Sequence, residues 1–162
     1  MKENELYEGV QAWLDQFLRG RYRGKNVRVF DSHKVELSRL IADQGLQPLF
    51  PEFNAWDVKV DVTGLVSDGK AARIALVECK IKQLTLRDVG QLLGYSIVVR
   101  PILSILTSPC RPSDPLRTLL KDYGRLDVLQ YGPEKRHIRL AEWNLARREI
   151  VLGSIIPRGP LI

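Results

Sequence analysis

The sequence predicts an α/β protein with a central mixed β-sheet flanked by helices. Residues 56–63 alternate between apolar and polar side chains, as a half-buried strand does, and residues 71–82 form a second β-type run. Asp68-Gly69, between the two runs, is a strong hairpin signal. A helical stretch and the apolar run Ile102–Leu106 follow. This strand–helix–strand order indicates a parallel crossover beside the antiparallel hairpin.

The hairpin register decides which polar side chains share a face of the sheet. With Asp68-Gly69 as the two-residue loop, Asp61 faces Leu76 across the hairpin. A slip of one residue would send the polar residues of the two strands to opposite faces. The side chains expected to project together from one face are Asp57, Asp61, Glu78 and Lys80.

Two polar motifs in this region resemble those of a known family. Asp61 is followed, after sixteen intervening residues, by Glu78-Cys79-Lys80, which resembles the PD-(D/E)XK nuclease superfamily. Gln91 and Tyr95 are similar to the Q-x-x-x-Y signature of its RecB-like branch. The superfamily also includes many restriction enzymes and Holliday junction resolvases. The similarity covers roughly residues 5–107, with valine at position 60 where the family name implies proline.

The resemblance implies a restriction-endonuclease-like fold and metal-dependent hydrolysis of DNA phosphodiester bonds, in DNA repair, recombination or defence. Asp61 and Glu78 offer hard carboxylate oxygens that suit Mg²⁺ or Mn²⁺, and the carbonyl of Cys79 can add another oxygen. A bound metal would acidify water and polarise the phosphoryl oxygen. Lys80 would orient that water or meet the anionic transition state. Asp57 would bind a second metal or pair with Lys80, and we favour pairing.

The resemblance also assigns residues outside the hairpin. Gln91 and Tyr95 would position the metal ligands, Lys80 or the DNA backbone. PD-(D/E)XK nucleases often place an acidic residue of the first helix beside the metal. Glu5 and Glu8 are the candidates in this chain, and we prefer Glu5 because it lies nearer the edge of the apolar stripe.

Before the hairpin, the pattern predicts two helices and one short strand. Residues 4–19 carry apolar side chains at helical spacing, and residues 26–30 alternate as a strand does. Asp31 or Ser32 can cap a second helix that runs through residues 35–41. Helices are therefore predicted both before and after the hairpin in the sequence.

After the hairpin, Thr85 and Asp88 resemble a capping box for the helix that carries Gln91 and Tyr95, and Pro101 ends this helix. Its expected buried stripe is Val89, Leu93 and Ile97. A short helix, a last strand and an element that is either helix or strand are predicted at residues 116–123, 127–131 and 139–148, respectively.

Length and composition set further bounds. The 162 residues fit one domain, with a nuclease-like core at about residues 5–131 and a C-terminal extension at 132–162. Two cysteines, Cys79 and Cys110, are too few for a disulfide scaffold and lack metal-site spacing. The chain has an acidic, polar N-terminus and no apolar run near the length of a membrane span. We therefore expect a cytoplasmic protein without a membrane partner.

The net charge of +6 favours an anionic partner, and we expect DNA. Two basic clusters can neutralise phosphates, or they can be solvated turns. Their members are Arg19, Arg21, Arg23, Lys25 and Arg28 in the first, and Lys135, Arg136, His137 and Arg139 in the second. A homodimer is also expected by analogy, because cutting both strands of a duplex often needs two sites.

A second hypothesis comes from a different functional class. The chain would be a nucleic-acid-binding or assembly module that kept the nuclease-like fold and lost the chemistry. The presence of Asp61, Glu78 and Lys80 argues against this hypothesis, because degenerate members of the family usually change one of the three.

Overall fold

The computed structural model describes residues 1–162 and contains a six-stranded mixed sheet with helices packed on it. The strands of this sheet, in spatial order, are β1 (Asn26–Asp31), β2 (Val62–Ser67), β3 (Ala72–Cys79), β4 (Leu103–Ser108), β7 (Arg139–Asn144) and β8 (Glu149–Ile150). A separate hairpin pairs β5 (Gln130–Tyr131) with β6 (Arg136–His137). The α-helices are α1 (Asn4–Arg21), α2 (Leu37–Asp43), α3 (Leu86–Val99) and α4 (Asp114–Arg117), and a π-helical turn extends α4 to Asp122.

The predicted α/β class and the mixed sheet are confirmed. Strands β2 and β3 pair antiparallel, whereas β3–β4 and β4–β7 pair parallel, so the carboxyl ends of β3, β4 and β7 meet at one edge. The sequence left residues 139–148 undecided between helix and strand. In the structure they form strand β7 followed by a turn. Residues beyond 132 thus supply two strands of the main sheet.

Two hydrophobic layers cover the faces of the sheet. Alternate residues of β3 enter different layers, since Leu76 joins the layer with α2 and α3, whereas Val77 joins the layer with α1. Gly64 allows α1 to lie close to β2, because a Cβ at that position would be 2.6 Å from Leu18 Cδ1. No helix has the length and apolarity that a membrane crossing requires.

The first strand of the hairpin is shorter than predicted. Strand β2 begins at Val62, and residues 56–61 instead run beside the segment that leads into α2. The backbone N–H groups of Ser32 and Leu37 donate to the carbonyls of Asp61 and Val58, both at 2.9 Å. This contact between distant segments replaces the strand pairing that the alternating pattern had indicated.

The hairpin register is also shifted by two residues. Ser67 pairs with Ala72, so the central loop residues are Gly69-Lys70 instead of Asp68-Gly69. The cause is Asp68, whose carboxylate accepts the backbone N–H groups of both Lys70 and Ala71 at 3.0 Å. A shift of two keeps each residue on its predicted face.

Helices α2 and α3 differ from expectation in detail. Neither Asp31 nor Ser32 caps α2, which begins after Glu36, because the Ser32 hydroxyl donates to the carbonyl of Val60 at 2.6 Å. The capping box of α3 is confirmed. The buried residues of α3 are Val89, Leu92, Ser96 and Val99, and Ile97, predicted in the stripe, is exposed. The strand predicted at residues 127–131 is mostly a 3₁₀ turn, and only Gln130–Tyr131 pair as a strand.

Candidate active site

The predicted polar residues meet at the end of the β2–β3 hairpin. Asp61 directly precedes β2, Glu78 is the penultimate residue of β3, and Lys80 follows that strand. Because Val62 pairs with Val77, continuing the register places Asp61 opposite Glu78, and the predicted pairing of Asp61 with Leu76 is wrong. The correction brings the two carboxylates closer together than the sequence-based register did.

Glu78 is buried and only half satisfied by hydrogen bonds. One carboxylate oxygen, Oε1, accepts from Lys80 Nζ at 3.0 Å and from Gln91 Nε2 at 3.2 Å. The other oxygen, Oε2, has no hydrogen-bond partner, and solvent can hardly reach it because only 5% of the residue is exposed. An unpaired carboxylate oxygen in such a place is costly unless a cation or a proton meets it.

Asp61 is the second buried carboxylate of the site. Its Oδ2 accepts the backbone N–H of Cys79 at 2.8 Å, a bond that joins the start of β2 to the end of β3. Tyr7, on α1, lies beside this carboxylate, and burial, followed by interaction with Asp61, raises the pKa of the Tyr7 hydroxyl. The tyrosine therefore stays protonated beside Asp61.

The environment of Glu78 favours its protonated form. Burial, followed by repulsion from Asp61, raises the pKa of Glu78 from 4.5 to about 7, although Lys80 opposes the change. Glu78 is therefore partly protonated near neutral pH, and a bound cation would favour its charged form.

Lys80 lies between two acidic side chains. Its Nζ is 3.0 Å from Glu78 Oε1 and 3.3 Å from Glu3 Oε1. Burial alone would lower the pKa of Lys80, but the negative charges of Glu78, Glu3 and Asp61 outweigh burial and raise it. Lys80 therefore remains an ammonium group throughout the physiological range.

The α3 pair predicted from the Q-x-x-x-Y motif reaches this cluster. Gln91 Nε2 donates to Glu78 Oε1 and also lies 3.4 Å from the hydroxyl of Tyr95. The capping box sets the start of α3, and so fixes the side of the helix from which these two residues project. Glu78, Lys80, Gln91 and Tyr95 thus form one hydrogen-bonded group, and Asp61 is bound to the backbone of Cys79 beside it.

Three other acidic candidates lie outside the cluster. Glu5 is exposed and forms no ion pair, Glu8 pairs with Arg148 at 3.3 Å, and Asp57 is exposed without the expected ion pair to Lys80. The acidic residue that does reach Lys80 is Glu3, at the N-cap of α1.

Sequence reasoning missed Glu3 because it stands just before the apolar stripe begins. One signal was available: Glu3 and Tyr7 are four residues apart, so they share a side of the chain at the start of a helix. Both face the cluster, Glu3 through Lys80 and Tyr7 through Asp61.

The few oxygen ligands at this site fit Mg²⁺ or Mn²⁺, which keep water in their coordination shell, and do not form a site closed by protein ligands alone. No group of three or more His, Cys, Asp or Glu side chains converges to hold a metal. Mg²⁺ usually takes one or two carboxylates and completes its shell with water and phosphate oxygens. Asp61 and Glu78 would supply the two carboxylates, and the unpartnered Oε2 of Glu78 would be a free ligand atom.

The backbone of Cys79 offers a further oxygen at the same place. Its N–H donates toward Asp61, and a residue in a strand directs its N–H and C=O to the same side. The Cys79 carbonyl therefore faces the Asp61 side of β3, beyond the last paired residue of β2.

The two basic clusters do not surround this site. Helix α1 is about 27 Å long, with Glu3 at the site and Arg19 near its other end. There Arg19 pairs with Asp15, and Lys25 pairs with Asp68 of the hairpin turn. In the second cluster, Arg139 binds the C-terminal tail through the carbonyls of Pro157 and Pro160, at 2.7 and 3.0 Å, respectively.

Comparison with protein-family models and with curated proteins found no match for this chain. Its function is therefore inferred from the residues and their geometry. The site brings two buried carboxylates, an ammonium group, an amide and two phenols together at one edge of the sheet.

Proposed function

We propose that the protein is a nuclease of restriction-endonuclease-like fold that hydrolyses DNA phosphodiester bonds with Mg²⁺ or Mn²⁺. The observation that carries this proposal is the buried, unpartnered Oε2 of Glu78 next to a second buried carboxylate, Asp61. The same two residues, with Lys80, Gln91 and Tyr95, form the motifs that resemble the PD-(D/E)XK superfamily.

The charge balance of the site favours a divalent cation. Glu3, Asp61 and Glu78 carry three carboxylates, against the single ammonium group of Lys80. Asp61 and Glu78 would hold the metal, with the Cys79 carbonyl as a further ligand. When bound, a divalent cation would polarise the scissile phosphate and acidify a water molecule.

Lys80 takes the role of a hydrogen-bond donor and positive charge. The neighbouring carboxylates raise its pKa and so favour the ammonium form. An ammonium group at this position can orient the nucleophilic water and meet the charge that develops on the phosphate. Gln91 keeps Glu78 in place by donating to the oxygen that Lys80 also contacts.

The test is cleavage of plasmid and linear duplex DNA with Mg²⁺, with Mn²⁺ and with a chelator. Asp61→Asn and Glu78→Gln preserve shape and remove one ligand charge each, so each should reduce the cleavage rate at least about 100-fold. Glu8→Gln is the matched control, because Glu8 is an exposed acidic residue paired only with Arg148. This control should cleave as the wild type does.

A second readout separates metal binding from catalysis. Adding Mn²⁺ should raise the unfolding midpoint of the wild type, since a ligand that binds only the folded state stabilises it. Glu78→Gln should lose this shift, while Glu8→Gln keeps it. Cleavage that is equally fast in Asp61→Asn, Glu78→Gln and the wild type would refute the proposal.

A further inference from the structure

A groove lined by cations lies between residues 111–126, which include α4, and the C-terminal tail, residues 151–158. It consists of two cavities of about 320 and 350 Å³ that share Lys121, Gly153, Ser154 and Ile156 in their walls. Its basic side chains are Arg111, Arg117, Lys121 and Arg158, and the one carboxylate in its walls is Glu142. The groove belongs to neither of the two basic clusters visible in the sequence.

The loop that lines one side of this groove leaves the same edge of the sheet as the candidate active site. The loop that carries Arg111 is bound to the segment that follows Lys80, because Ser108 Oγ donates to the carbonyl of Lys82 at 2.7 Å. The same loop is bound again at its far end, where the Ser113 N–H donates to the carbonyl of Leu84 at 2.9 Å. Both segments leave the edge of the sheet where β3 and β4 end.

The cations of the groove are only weakly neutralised. Asp114 pairs with Arg111 at 3.9 Å and with Arg117 at 3.5 Å, and its side chain is 76% exposed. Exposed pairs of this kind contribute little and exchange readily for another anion. Lys121 and Arg158 form no ion pair, so they have free charge to offer a ligand.

We propose that this groove binds the phosphate backbone of duplex DNA next to the active site. The identity of the polyanion rests on the proposed function. Cations spaced along a groove can each neutralise a phosphate and release its counterion, which gives affinity independent of base sequence. The C-terminal tail thereby gains a role as one wall of the binding surface.

The test is the binding of a short labelled duplex, measured by fluorescence anisotropy at several salt concentrations, with chelator present to prevent cleavage. Arg117→Glu/Lys121→Glu should weaken binding at least tenfold and reduce the salt slope by about 2, because about one slope unit is lost per phosphate contact. Arg21→Glu/Arg23→Glu, with the same change in net charge at the other end of the molecule, is the matched control. This control should bind within about twofold of the wild type.

Equal weakening in both double variants, or none in the groove variant, would overturn the inference. Circular dichroism and the unfolding midpoint check the fold. If the groove double variant is unfolded, the binding of Lys121→Ala is measured instead, and its salt slope should fall by about 1. Failure of the proposed function is distinguishable, since groove-dependent binding without cleavage in Mg²⁺ or Mn²⁺ rejects the nuclease and retains the groove.

Discussion

The hairpin carries a lysine–carboxylate pair at each of its two ends, and the pairs behave in opposite ways. Lys80 contacts Glu78 at 3.0 Å where the hairpin opens, and Lys25 contacts Asp68 at 2.5 Å at its turn. The Glu78 side chain is 6% exposed, whereas the Asp68 side chain is 37% exposed. The chemical groups match, but their surroundings do not.

The difference lies in how far the surroundings of each carboxylate satisfy its charge. The hydrogen bond from Lys25, followed by those from two backbone N–H groups, lowers the pKa of Asp68, so this carboxylate is satisfied. Burial and the nearby Asp61 raise the pKa of Glu78 to about 7 despite Lys80. A salt bridge alone therefore does not distinguish the two ends, whereas the buried pair of carboxylates with an unpartnered oxygen does, and the proposed nuclease site rests on that pair.

Replacing the two lysines tests this comparison most strongly. Lys80→Met should reduce the DNA cleavage rate at least about 100-fold, because it removes the ammonium group proposed to meet the transition-state charge. Lys25→Met should leave the rate within about twofold, because its ion pair is exposed and distant from the site. Initial rates at saturating Mg²⁺ measure both effects. Equal rates in the two variants would remove the functional distinction between the ends of the hairpin.

The pH dependence of stability should have opposite signs at the two ends. A carboxyl whose pKa is raised in the folded state binds its proton more tightly there, so rising pH destabilises the fold. The wild type should therefore lose about 3 kcal/mol relative to Glu78→Gln between pH 4.5 and about 7. The pKa of Asp68 is lowered, so the wild type should lose its advantage over Asp68→Asn as the pH falls below the ordinary range of aspartate.

Urea unfolding in chelator, from about pH 7 down to pH values below the ordinary range of aspartate, measures both differences without a contribution from metal binding. The Glu78→Gln comparison should slope downward with pH, and the Asp68→Asn comparison should slope upward. Parallel curves for Glu78→Gln and the wild type would mean that Glu78 has an ordinary pKa in the folded protein.

The strand face of the site was predictable from the sequence, and the details of the hairpin were not. Side chains alternate along a strand, so a register wrong by two residues still placed Asp61, Glu78 and Lys80 on one face. The loop position depended on Asp68, which binds backbone N–H groups that the loop would otherwise leave free.

Contacts between distant segments account for the other differences. The alternation of residues 56–61 indicated a strand, but their carbonyls bind the backbone before and within α2. Glu3 lies outside the apolar repeat of α1, so no periodicity connected it with Lys80, seventy-seven residues away. Only the packing of α1 on the sheet places these two residues together.

Helix α1 lies close to the sheet at Gly64. Gly64→Ala places a methyl group 2.6 Å from Leu18 Cδ1, so it should destabilise the protein by about 2 kcal/mol through overpacking. Gly90→Ala in α3 is the matched control, because nothing lies within 4 Å of its added Cβ. That control should be neutral or should stabilise by up to about 1 kcal/mol, as expected for alanine in a helix. Urea unfolding compares them, and equal stability would show that α1 adjusts freely.

The smallest expected effect concerns the acidic residue that α1 brings to the site. Glu3→Gln weakens one of the two carboxylate contacts of Lys80, while Glu78 remains, so the cleavage rate should fall only about fivefold. Glu5→Gln changes an exposed carboxylate without an ion pair and should have no effect. Asp15→Asn, near the other end of α1, should also have none. A loss confined to Glu5→Gln would favour the sequence-based assignment over the observed contact. A loss confined to Glu3→Gln would mean that α1 acts on the chemistry by positioning Lys80.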